Sequence, residues 1–115
     1  MKRTTRVVVI AVSLSCCSLA LLAQASRDWT ELMAAMEKMH VAMASTQDSG
    51  NSDVDFVRLM FPHHQAAVDM AKTELLYGSD PQMRRLAQEI ITDQQSEMEL
   101  MQLWRKQHGE HPRHQ

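Results

Sequence analysis

Between residues 28 and 107, apolar side chains return every three or four positions, the spacing of one helix face. The first stretch runs from about Asp28 to Ser45. At about 100° per residue, Trp29, Leu32, Met33, Met36, Met39, His40 and Met43 share an arc of about 120°, while Glu31, Glu37 and Lys38 point elsewhere. This predicts an amphipathic helix with a stripe made mostly of methionine, broken by Gln47-Asp48-Ser49-Gly50-Asn51. The second stretch opens at Ser52, with Asp55 three residues on as a capping-box partner. It should end at Tyr77, with Gly78 as a left-handed terminator. Phe56, Met60, His63, Ala67, Met70 and Glu74 share one side, with His64 at its edge, and Pro62 should kink the axis beside the histidine pair. The third stretch begins at Ser79-Asp80-Pro81, a cap followed by an early proline, and continues to Gln107. Met83, Ala87, Ile90, Gln94, Met98 and Met101 line its face, flanked by Ile91 and Trp104. The short Gly78–Pro81 connection makes the second and third helices antiparallel neighbours. The expected fold is therefore all-α, an antiparallel bundle of three helices with little room for strands.

What precedes the helices changes the picture of where they work. Lys2, Arg3 and Arg6 lead into an apolar run from Val7 to Ala23 that closes on Ala23-Gln24-Ala25. That is the layout of a secretory signal peptide cleaved after Ala25, so the expected location is the periplasm or the exterior. A permanent membrane anchor is the alternative, but the run is short, carries Ser13, Ser15 and Ser18, and lacks a basic stop-transfer flank. A lipoprotein is a further alternative, although Ser13-Leu14-Ser15 is a poor context before Cys16. The expected organisation is a leader at 1–25, a Met-rich helix at 26–47, a two-helix core at 53–107 and a mobile His-containing tail at 108–115.

Cleavage removes Cys16 and Cys17, the only cysteines, leaving no disulfide and no thiolate ligand. Of the 115 residues 90 remain, with nine Lys and Arg against fourteen Asp and Glu, a formal net charge of −5. Such an acidic chain is a poor partner for nucleic acid or anionic membrane. All six His and nine of the ten Met also remain. Folding about Gly78 should bring Met60, His63, His64 and Met70 near Met98 and Met101, with Gln94, Gln95 and Glu97 close by. Thioether and imidazole together suit Cu(I), with Ag(I) and Cu(II) as further possibilities, and suit Mg or Ca poorly.

Against this stands the plain reading of Met at helical spacing as flexible core filler, which is the first choice for the stripe in the first helix. Met36, Met39, His40 and Met43 there are secondary metal candidates only. His63 and His64 are harder to dismiss. Adjacent residues point about 100° apart, so at most one faces the core squarely, and buried titratable rings without partners are costly. The tail histidines His108, His111 and His114 read as solvated first and as loose ligands second.

The run from Asp55 through Met60-Phe61-Pro62-His63-His64 to Asp69-Met70-Ala71, followed by Leu86-Ala87-Gln88-Glu89-Ile90-Ile91, Gln94-Gln95-Ser96-Glu97-Met98, Met101 and Trp104, resembles the signature of the domain of unknown function 305 family. The resemblance covers about residues 53–107. It implies a ferritin-like helical bundle of the bacterial envelope, a copper- or silver-binding role found in some members, and Met60, His63, His64, Met70, Met98 and Met101 as the functional positions. Asp69 belongs to the motif as well. The Met-rich helix and the His tail lie outside that pattern.

The same residues give less support to other functions. A di-iron enzyme needs two Glu-x-x-His pairs with further inward carboxylates, and only Glu37-Lys38-Met39-His40 has that spacing. No Gly-x-Ser-x-Gly or His-Glu-x-x-His motif is present, so turnover is not expected. A Met-lined structural or interaction module of the envelope, without metal, is the main alternative. A stripe of this size left uncovered would favour self-association into a homo-oligomer.

Overall fold

The computed structural model describes residues 27–109, and these form three helices with no strand among them. Helix α1 covers residues 27–44. Helix α2 is Ser52–Tyr77 and helix α3 is Pro81–Gln107. The leader and residues 110–115, with His111 and His114, lie outside the described residues. None of the described helices is long and apolar enough to cross a membrane.

Local chemistry explains the helix ends. Asp80 caps α3, its carboxylate accepting from the backbone N–H groups of Gln82 and Met83, with Pro81 in the first turn where no donor is needed. At α2 the cap is Asn51, not Ser52. Its side-chain oxygen accepts from Asp53 and Val54, while Asp55 reaches back to the Ser49 N–H at 3.0 Å. The amide of Asn51 reaches both donors one residue earlier than the expected Ser52–Asp55 box. Gly50, at φ 74, supplies the left-handed turn before it.

The stop at Gly78 works differently from the expectation. Its backbone is extended (φ −66, ψ 146), not left-handed. Its N–H donates to the Glu74 carbonyl, and a Cβ at this position would stand 2.7 Å from that same oxygen. Glycine is required here for space. Arg84 then closes the turn, donating to the carbonyls of Leu75 (2.7 Å) and Gly78 (2.9 Å), which the end of α2 leaves unsatisfied. Helix α2 runs through Pro62 without interruption, although proline removes the N–H that would meet the Arg58 carbonyl.

Helix α2 is central. It pairs antiparallel with α3 along its length and antiparallel with α1 through Tyr77, whose O–H donates to Glu31, and Asp69, which lies 3.7 Å from Lys38. It therefore has two buried faces. Val57, His64, Val68 and Ala71 turn one way; Ala66 and Thr73 turn toward α1. The α1 side forms a groove of about 180 Å³ lined by Ala35, Met39, Ala42, Phe61, Pro62 and Ala66, among others.

This geometry corrects the α1 stripe. Ala35 is the buried residue, and Trp29, Met33, Met36 and His40 are exposed, with Leu32, Met39 and Met43 half-buried. The helix is rotated by about one residue's turn, roughly 100°, from the expected orientation. The cause is the choice of contacts. Small Ala35 and Ala42 allow close approach to Ala66, and Glu31 and Lys38, expected to point away, meet Tyr77 and Asp69. On α3 the expected face holds at Ala87, Ile90, Ile91, Gln94, Met98 and Met101, whereas Met83, in the first turn of the helix, is exposed.

Candidate metal site between α2 and α3

The histidine pair separates cleanly. His64 is buried at 8 % exposure, and His63 is exposed, its ring centroid 6.5 Å away and edge-on. Sequence reading had set His63 on the inner face and His64 at the edge; the structure reverses them. The reason is that α2 turns Val57, Val68 and Ala71 toward its neighbours, and His64 falls in phase with these residues. Phe56, at 60 % exposure, stands on the exposed side with His63, and Met70 is half-buried about two turns along α2 from His64.

Both ring nitrogens of His64 are engaged. Nδ1 lies 2.9 Å from the Met60 carbonyl, and Nε2 lies 2.6 Å from the Glu97 carboxylate. A carbonyl only accepts, so Nδ1 carries a proton and donates. The second ring nitrogen, Nε2, makes the hydrogen bond to Glu97 across the hairpin. The ring is thus held in a charge-assisted bond with α3 while its Nδ1 side is fixed to its own helix.

The His64–Glu97 contact sets the register of the hairpin. One turn back along α2 and one turn forward along α3 from it stand Met60 and Met101, level with each other. Met101 is buried at 8 % exposure, and Met60 and Met98 are half-buried. From the Lys38–Asp69 contact, five residues forward on α1 and five back on α2 bring Met43 level with His64. Of the residues singled out from sequence, the structure gathers Met60, His64, Met98 and Met101 along one interface, with half-buried Met43 at that height on α1. Met36 and His40 stand on the exposed side of α1, with Met39 beside the α1–α2 groove.

Two residues gain roles that spacing did not show. Glu97 was expected only as a neighbour, yet it is the partner of the buried imidazole. Counting outward from the turn would have found it, since His64 lies fourteen residues before Gly78 and Glu97 sixteen after Pro81. Asp69 accepts from the Gln65 amide at 2.9 Å and pairs with Lys38, so it ties α1 to α2. His108 is no free ligand at its Nδ1. That atom sits 2.8 Å from the Trp104 carbonyl, and the two rings stack at 4.2 Å.

Among the described residues no three His, Cys, Asp or Glu side chains converge as a metal site. The interface carries one buried imidazole, that of His64, with Met60, Met98 and Met101 along it.

An all-α chain with such an interface defines the class, a small helical-bundle domain. Residues 53–115 match the domain of unknown function (DUF305), and the chain belongs to that family. No curated protein matches the chain.

Proposed function

We propose that the chain is an exported metal-binding protein of the bacterial envelope that takes copper as Cu(I), with Ag(I) and Cu(II) as further ions, and acts by sequestration or hand-off, without turnover. The observation that carries this reading is the buried His64 ring. Ligating histidines characteristically donate the other ring N–H to a carbonyl or carboxylate, which fixes the tautomer and aims the free nitrogen. His64 has this arrangement through Met60, its Nε2 meets Glu97 across the hairpin, and Met60, Met98 and Met101 stand within about one turn of that contact. Thioether and imidazole without thiolate suit a soft ion in an oxidising compartment, where the leader at 1–25 would send the chain.

The test is an anaerobic Cu(I) titration of the protein against a chromophoric chelator. A defined stoichiometry with affinity above the chelator's supports the reading; no uptake returns the chain to the metal-free interaction module. That alternative draws on the exposed Trp29, Met33 and Met36. Sedimentation at micromolar concentration tests it, since self-association through that surface requires a concentration-dependent mass.

A further inference from the structure

We propose that Glu97 is the latch of the site: in the metal-free protein it occupies the one nitrogen of His64 that an ion can use, and a soft ion binds only by displacing it. The inference rests on the copper reading and deepens it. Because Nδ1 donates to the Met60 carbonyl, Nε2 is the only ligating atom left on the ring, and the Glu97 carboxylate stands 2.6 Å from it. No ion fits between two atoms at that distance, since a bound ion would need about 2 Å to each. The carboxylate is also a poor ligand for a soft, d10 monovalent cation, so it gains little by staying.

The two partners differ in their freedom to move. The His64 side chain is 10 % exposed and the Glu97 side chain 57 % exposed. His64 is confined by the packing of α2, while Glu97 swings outward into water at little cost. Displacement therefore opens the thioether-flanked interface without moving either helix. The same contact holds α2 to α3 when no metal is present, so the ion takes over a tie that the carboxylate provides.

This role separates from a merely structural one by the signs of two measurements. Glu97→Gln keeps the side chain's size and removes its charge. It should lower the thermal midpoint of the metal-free protein while raising Ag(I) affinity about tenfold, the factor expected when a charge-assisted hydrogen bond no longer competes. His64→Gln, measured alongside, should lower Ag(I) affinity. Weaker Ag(I) binding by Glu97→Gln makes Glu97 a ligand, not a latch, and overturns the proposal. Unchanged affinity overturns it as well. Should the wild-type protein bind no Ag(I) or Cu(I), the copper reading itself falls, an outcome distinct from the other two.

Discussion

Replacing His64 by Leu tests the site most directly, because the structure separates its effect on stability from its effect on metal. The substitution removes a charge-assisted bond to Glu97, which contributes about 1.5–3 kcal/mol when such bonds are well formed, nearer the low end here because Glu97 is 57 % exposed. Glu97 regains water and is not stranded. The Met60 carbonyl keeps its ordinary helical partner, the backbone N–H of residue 64. Against the loss, a Leu at a site of 8 % exposure adds buried apolar surface, a gain of roughly 1.5–3 kcal/mol relative to an exposed position. The two contributions nearly offset, so unfolding free energy from urea titration should change by no more than about 1 kcal/mol. Cu(I) affinity should fall by at least about a hundredfold, because loss of even an outer-shell partner costs about 10- to 100-fold. His63→Leu, at an exposed position, should leave affinity within about threefold of wild type. Equal losses from the two substitutions would refute the assignment of the buried ring as the ligand.

Three further outcomes follow from the packing. Met101→Ala should cost about 2–5 kcal/mol in urea unfolding, and Met83→Ala much less, since the first side chain is 8 % exposed and the second 47 %. Arg84→Ala leaves the carbonyls of Leu75 and Gly78 without their side-chain donor and should lower stability by about 1–2 kcal/mol, with Arg85→Ala as the near-neutral comparison on an exposed pair with Glu89. Asp55 is held below its ordinary value of 3.8, chiefly by hydrogen bonds from Ser49. A depressed carboxyl stabilises the fold above its unfolded value, and that contribution disappears as pH falls from about 4 through the lower folded value. The thermal midpoint of Asp55→Asn should therefore fall less than that of wild type between pH 5 and pH 2.5, and parallel curves would refute the role of Asp55.

How much of this was legible depends on whether the cause was local. The bounds of α2 and α3 were read from Ser52, Tyr77, Asp80 and Pro81 because caps, proline and glycine act within a few residues. The inner face of α3 was also readable, since Ala87, Ile90, Ile91, Met98 and Met101 repeat at helical spacing and turn inward, while Leu86, Leu100 and Leu103 stand exposed outside that stripe. The faces of α1 and α2 were not, and for different reasons. Helix α1 docks through alanines and two charged residues, which leaves Met33 and Met36 facing water and removes the core-filler explanation for those two, while Met39 and Met43 stay half-buried. Helix α2 serves two partners, so no single stripe describes it, and one residue's rotation decides which of two adjacent histidines goes inside. The ring that goes inside then meets a carboxylate thirty-three positions away. Spacing could place a His-His pair beside methionines, but only the register of the hairpin could pair His64 with Glu97. The consequence for function is specific. The Pro-His-His motif presents two rings and the bundle buries one, so a metal affinity carried by His64 alone would show that tertiary register, not the sequence motif itself, builds the site.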